Sequence, residues 1–426
     1  MVAAIVGIIT PAMIVGSACN LPNDERSLLI QSAMLFSGIV TLLQVHPAFG
    51  RIGSGLPVIT GAIFAFVPVL NSIGAAYSIT AIIGAQFIGG FVSIIFAIFL
   101  RQIKKLFPPV VTGTVVFCIG LSLYSVAIGY MAGGTSSADF DSAKNWIVAL
   151  ITLAFCIYFG NFTKGVTKLE SLLFGMICGY IVALFAGMVS FNGVASASWV
   201  ALPQLLPFGI EFQPDAIVSL GAIFIIAAVE MIGDFSAVST GAMGREPTLQ
   251  EIRGGILCEG IASTVGALFG GLPTATFAQN VGIATTTKVV NKRVYACAAT
   301  ILIVCGLIPK FAAALDTIPM CVIGGATITV FGSITMTGIR ILTKGGLSNR
   351  KATIAGLSVA LGMGISVVSG SLAGPGMPSW ITNIFGNSAI VVTALMAITL
   401  NLILPDLDGE KVEAAKEDEK EFQQAA

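Results

Sequence analysis

Residues 272–288 read LPTATFAQNVGIATTTK, a Thr-rich polar stretch with Gln279 and Asn280 at its centre, inside a chain that is otherwise mostly hydrocarbon. An amide pair and a run of hydroxyls at bilayer depth must be surrounded by protein, water or ligand, because each unsatisfied polar group facing lipid costs several kcal/mol. Pro273 and Gly282 also argue against one uninterrupted helix. The segment therefore reads as a broken membrane crossing that binds something. The rest of the chain sets that reading in context. Of its 426 residues, 56% are hydrophobic and only 10% charged, with a mean hydropathy of +0.96. Soluble proteins carry about a quarter charged residues, so this is a polytopic membrane protein, all-α in class.

Composition excludes several functions. A net charge of zero gives no broad attraction to nucleic acid. The eight cysteines lie in or beside apolar runs and never as C-x-x-C, so they read as small buried hydrophobes, with neither a disulfide framework nor a metal site implied. A single histidine, His46, leaves no basis for a His-based metal centre or a Ser-His-Asp triad. No enzyme is expected, and no cofactor beyond a co-transported ion. The amino-terminal residues lack a basic n-region and a small-residue cleavage pattern, so 2–18 read as a retained helix and not a signal peptide.

Apolar runs of spanning length, about 20 residues each, fall at roughly 2–18, 27–45, 76–100, 107–131, 145–160, 169–190, 214–242, 249–271, 293–313, 317–342, 352–370 and 385–404. Two further crossings, 53–72 (GSGLPVITGAIFAFVPVLNS) and 272–290, are irregular. Each begins at Gly or Pro, continues through a short β-prone stretch (Pro57 to Thr60; Thr274 to Phe277) and ends in residues suited to half a helix. The total is fourteen transmembrane segments, with the irregular ones third and tenth, at matching positions in two halves of seven. One interrupted segment per half points to an inverted-repeat secondary transporter with its site near the midplane. Lys and Arg placement agrees. With the amino terminus inside, 18 of the 21 basic residues lie on the cytoplasmic side, leaving only Arg26, Lys144 and Lys310 opposite. The tail from Pro405 to Ala426 mixes both charges with few apolar residues and reads as a solvated, partly disordered cytoplasmic end.

Three carboxylates sit well inside expected spans: Glu230, Asp234 and Glu259. An ionisable group at that depth is a functional candidate, because it must face a cavity or a partner. Glu230 and Asp234 are four residues apart and share a helix face. Two acids so placed repel, and burial disfavours charge, so one is expected to carry a proton, as a proton-coupled carrier needs. Gln279 and Asn280 each offer a donor and an acceptor, which suits a planar ligand with alternating N–H and C=O groups such as an oxopurine or a pyrimidine. Phe64, Phe66 and Phe277, beside the two broken crossings, could stack on such a ring.

These residues carry a family resemblance. Gln279-Asn280-x-Gly282-x-x-x-x-Thr287-Lys288 fits the signature Q/E-N-x-G-x-x-x-x-T-R/K/G of the nucleobase–ascorbate transporters, the nucleobase:cation symporter-2 family. VEMIGDFSA resembles its eighth-helix E-x-x-G-D segment, and GSGLPVITGAIFAF its third-crossing segment, so the likeness runs along nearly the whole chain. It implies a core domain (1–105 and 208–313) and a gate domain (106–192 and 314–404), followed by the tail 405–426, with short antiparallel β-strands in crossings 3 and 10. It also implies a homodimer in the cell membrane with both termini cytoplasmic, and symport of H⁺ or Na⁺. By position, Glu230 and Gln279 would hold the base through paired hydrogen bonds, and the backbone near Phe64 and Ala278 would complete the pocket. Asn280 would brace it, and Asp234 and Glu259 would serve coupling or the internal network. Oxopurine carriers of the family usually have Gln at position 279 and uracil carriers Glu, which favours xanthine or urate. Uracil transport, inorganic anion transport on the same fold, and a channel or non-transporting receptor are the alternatives. One feature departs from the family: the chain opens at MVAAIVGIIT, downstream of the usual first-span Gln-His, so its start is either truncated or shortened. His46, in the loop between spans 2 and 3, does not replace that histidine.

Overall fold

The broken crossings meet. In the computed structural model, which describes residues 2–405 apart from 105, 135, 136, 138, 369, 375, 379, 380 and 387, strand β1 (Thr60–Ala62) pairs antiparallel with β2 (Thr274–Thr276). Thr60 lies opposite Thr276, Gly61 opposite Ala275 and Ala62 opposite Thr274. The Phe277 amide donates to the Ile59 carbonyl at 3.0 Å and carries the ladder one step further. β1 therefore begins where the β-prone stretch of the first crossing ends. The two strands join segments more than 200 residues apart in the chain.

Fifteen helices of eight or more residues surround this pair among the described residues. The first four are α1 (Val2–Ala18), α2 (Asn23–Val45), α3 (Val67–Ala76) and α4 (Ile79–Ile98). Next come α5 (Pro109–Met131), α6 (Ala143–Phe162), α7 (Ser171–Phe185) and α8 (Pro214–Val238). Then follow α9 (Leu249–Leu268), α10 (Ala278–Thr287), α11 (Lys292–Gly306) and α12 (Pro309–Asp316). The last are α13 (Met320–Leu342), α14 (Asn349–Val367) and α15 (Ala389–Ile403). A 3₁₀ turn, Phe64–Phe66, leads from β1 into α3, and a π turn, Ser239–Met243, extends α8. The expected tail beyond Pro405 lies outside the described residues.

Local chemistry explains the ends. Pro109, Pro214 and Pro309 occupy first-turn positions, where their missing N–H is not needed. Thr248 and Glu251 form a reciprocal capping box at the start of α9, and Arg245 grips the same Glu251 through two hydrogen bonds. Ser142, Ser348 and Ser388 cap α6, α14 and α15.

Among the described residues, six helices (α2, α4, α5, α6, α8 and α13) are long and apolar enough to cross a membrane by themselves, and the pair α11 and α12 makes a seventh if counted as one span. That pair corrects one expectation. The apolar run at 293–313 is not straight but bends by 84° between Gly306 and Pro309. Pro309 cannot donate a helical hydrogen bond and holds Ile308 extended, so the helix must restart.

Helix α4 packs on α8 and α9, α2 on α11, and α5 on α13, with α6 against α7 and α14 against α15. The α4–α9 crossing is a backbone contact. A Cβ on Gly90 would fall on the Thr264 hydroxyl and within 2.6 Å of the Gly260 carbonyl, and one on Gly260 would lie 2.8 Å from the Gly90 carbonyl. Small residues permit such close helix approach in lipid. Gly90→Leu is therefore expected to force the helices apart at a cost of about 1–3 kcal/mol. The check is thermal melting of the purified protein in detergent, followed by size-exclusion retention.

Candidate substrate site

The strand pair forms the floor of the site. Threonines at alternate positions of a strand point to one side, and Thr274 and Thr276 each meet a buried acid. Thr276 Oγ1 donates to Asp234 Oδ2 at 2.6 Å, and Thr274 Oγ1 donates to Glu259 Oε2 at 2.6 Å. The other oxygen of Glu259 accepts from Gln44 Nε2 at 3.0 Å. Gln44 also donates to the Gly255 carbonyl and accepts from the Ser54 amide, both at 2.9 Å. On the β1 side, Thr41 Oγ1 accepts from the Thr60 amide at 3.1 Å, and Ser37 donates to the Thr60 carbonyl. Ser263 Oγ accepts from the Thr274 amide at 3.1 Å. Helices α2 and α9 thus hold one strand each by side-chain hydroxyls.

Gly61 allows the strands to sit this deep. A Cβ there would lie 2.6 Å from Ser37 Oγ and 2.9 Å from the Phe277 ring. The opposite edge of the ring is 3.0 Å from where a Cβ on Gly7 of α1 would be. Phe277 is thereby clamped between α1 and β1, with its backbone leading into α10.

Above the strands lies a small cavity lined by Glu230 and Gln279 together with Phe64, Thr276, Phe277 and Ala278. The apolar side chains of Val116, Ile119 and Ile334 close it from α5 and α13. Glu230, one helical turn before Asp234 on α8, presents an Oε2 that is shielded from solvent and has no hydrogen-bond partner among the described residues. None of Glu230, Asp234 and Glu259 forms an ion pair among the described residues. Phe64 is buried edge-on against Phe331 of α13, with ring centroids 5.3 Å apart. A larger cavity adjoins this one and shares Phe64, Phe277 and Gln279 with it; Asn280 lines only the larger one.

The structure therefore brings Glu230, Gln279, Phe64 and Ala278 together around one space. It puts Asp234 and Glu259 beneath that space, among threonine hydroxyls, and Asn280 beside it. Phe66 departs from the sequence reading: it is fully buried against Phe224, centroids 5.1 Å apart, and does not reach the cavity. Gln44 and the paired threonines escaped that reading. Their signal was a buried-span glutamine and an i, i+2 threonine pair directly after Pro273.

Residues 1–371 match the Permease family of xanthine and uric acid carriers. The chain belongs to this nucleobase:cation symporter-2 family. It is a transporter of nucleobase type and not an enzyme, and it resides in the membrane. Among its relatives, the uric acid permease PucJ of Bacillus subtilis is 35% identical over 416 residues, covering 96% of this chain and 91% of PucJ. The xanthine permease XanQ of Escherichia coli K12 is 32% identical over 422 residues, covering 95% of this chain and 89% of XanQ. The permease also resembles the transmembrane domain of a cyanobacterial bicarbonate transporter, BicA, at a TM-score of 0.57 and 16% identity over 94% of this chain and 95% of that one. That likeness is one of fold.

Removing the Thr276 hydroxyl tests the floor of the site. Thr276→Val leaves Asp234 buried without its donor and is expected to cost about 1–3 kcal/mol, whereas Thr276→Ser keeps the bond. Thermal melting of both variants beside the parent permease checks the difference, and equal melting of Val and Ser variants contradicts it.

Proposed function

We propose that this permease imports an oxopurine nucleobase, xanthine or urate, together with a proton. The observation that carries the reading is the unpartnered Glu230 Oε2 facing the same small cavity as Gln279, between the Phe64 and Phe277 rings. A carboxylate oxygen is an acceptor for a ring N–H, and a glutamine amide can accept from one ring group and donate to its neighbour. Together they match the alternating C=O and N–H edge of an oxopurine. The Ala278 backbone at the start of α10 and the Phe64 ring would bound the base, and Asn280 would brace the helix that carries Gln279. The likeness to the uric acid permease PucJ and the xanthine permease XanQ supports the same choice.

Coupling follows from electrostatics. A buried carboxylate with no cation beside it is costly to carry through a change of exposure. In the proposed cycle a proton taken up by the Glu230–Asp234 pair enters with the base and leaves with it. Thr276 and Thr274 tie Asp234 and Glu259 to β2, so the state of the acids bears directly on the position of Gln279, three residues beyond Thr276. Fourteen spans in a 7+7 inverted repeat would place the two broken crossings at the midplane. Core segments 1–105 and 208–313 would then move against gate segments 106–192 and 314–404 to give alternating access. The charge bias of the loops supports cytoplasmic termini, and the permease is taken to act as a homodimer.

Uptake of labelled xanthine by cells that lack their own carrier tests the site. Glu230→Gln and Gln279→Ala are each expected to abolish saturable uptake while the protein remains in the membrane, and unimpaired uptake by both variants overturns the assignment. A protonophore is expected to collapse uptake; uptake that ignores the protonophore but requires Na⁺ overturns the proton as coupling ion. Competition by urate, uracil and other bases ranks the substrates in the same experiment.

A further inference from the structure

The short helix that carries Gln279 is held less by packing than by polar tethers. Of the ten residues of α10 only Val281 and Ala284 are buried, and no side chain caps its amino end. Side-chain tips lie about 5–6 Å from a helix axis, so a roll of about 20° would carry the Gln279 amide about 2 Å, enough to break a hydrogen bond. Something must therefore fix the roll. One tether is Lys288, whose Nζ donates to the Gly241 carbonyl in the π turn beyond α8. The other is Tyr295, a buried residue near the start of α11. Its hydroxyl donates to the Val289 carbonyl at 2.9 Å, just past the end of α10, and the Asn280 side chain is hydrogen-bonded with the same phenol. A phenol has one proton to give. With Val289 receiving it, the lone pairs of the oxygen remain for the Asn280 carboxamide.

The helix behind Tyr295 is a rigid support. A Cβ on Gly38 of α2 would lie 2.6 Å from the Ala299 carbonyl of α11, and one on Gly306 of α11 would lie 2.6 Å from the Leu35 amide nitrogen of α2. The two backbones are thus in direct contact, and α2 in turn holds β1 through Ser37 and Thr41. We propose that Tyr295 is a positioning residue: it sets the roll of α10 against the α2–α11 frame, and so decides how strictly Gln279 discriminates among planar bases. Asn280 is the intermediary, because it is the next residue after Gln279 and the two cannot turn independently on one helix. Tyr295 lies beyond the signature segment, which ends at Lys288. This inference rests on the nucleobase reading of the Gln279 cavity.

Labelled xanthine uptake, with the amount of permease in the membrane measured alongside, tests it. Tyr295→Phe removes the hydroxyl and keeps the ring. It is expected to raise KM about three- to tenfold, as loss of one neutral hydrogen bond implies, with the maximal rate per permease within about twofold of the parent. The half-inhibitory concentration of uracil relative to that of unlabelled xanthine is expected to fall at least about threefold, because a loosened Gln279 rejects the wrong base less well. Should Tyr295→Phe fail to reach the membrane, the same two readouts are taken in Asn280→Ser, which breaks the tether from its other side. An unchanged KM and competition ratio overturn the proposal, including the case in which only the maximal rate falls, since that is what a merely structural tyrosine gives. Glu230→Gln and Gln279→Ala in the same cells separate the two assignments. Loss of uptake in both with a silent Tyr295→Phe overturns this inference alone. Uptake that survives in both overturns the cavity reading and this inference with it.

Discussion

The arrangement depends on one constraint: non-helical backbone at membrane depth has no water to bond with and must be satisfied by protein. Two interrupted crossings solve this for one another. β1 and β2 exchange ladder bonds on one edge, and on the outer edges Ser37 and Thr41 of α2 reach the Thr60 carbonyl and amide while Ser263 of α9 reaches the Thr274 amide. Neither crossing could be broken alone without leaving a strand edge unpaired. The pair therefore constrains where α3 and α10 begin, and with them the side chains that border the cavity.

The same economy extends to the acids. Asp234 and Glu259 lie beneath the strands and take their donors from alternate residues of β2. Glu259 receives a further donor from Gln44 of α2, so a single carboxylate ties together α2, α9 and β2. A displacement of β2 would alter the environment of both acids at once. That mechanical link gives the proposed coupling a physical route: the groups that would carry charge and the residue that would hold the base are joined through one three-residue strand and the first turn of α10.

Fold and cargo separate cleanly here. At 16% identity the chain shares its fold with a bicarbonate transporter domain, yet a single fold hosts unrelated cargoes and the site decides among them. An anion site would present cations, whereas this cavity presents an unpaired carboxylate oxygen and a carboxamide beside the amino terminus of α10. The family match carries nucleobase transport, and the donor and acceptor pattern of the cavity is the basis for preferring an oxopurine.

Much of this was legible in the residues themselves. Low charge and long apolar runs determined a membrane protein, because desolvated charge is too costly for lipid. The irregular, Pro- and Gly-bounded segments at 53–72 and 272–290 marked the broken crossings, and depth alone singled out Glu230, Asp234 and Glu259. What a linear pattern could not reveal is which distant groups meet. That Thr276 serves Asp234, that Gln44 reaches Glu259 across 215 positions, and that Phe66 turns from the cavity to pack on Phe224 are outcomes of packing. The 84° bend before Pro309 is likewise decided by packing together with proline's missing donor, since hydropathy reads the run as continuous. Composition and periodicity report the solvent each residue requires, but a hydrogen bond requires a partner within about 3 Å, and only the folded chain supplies that.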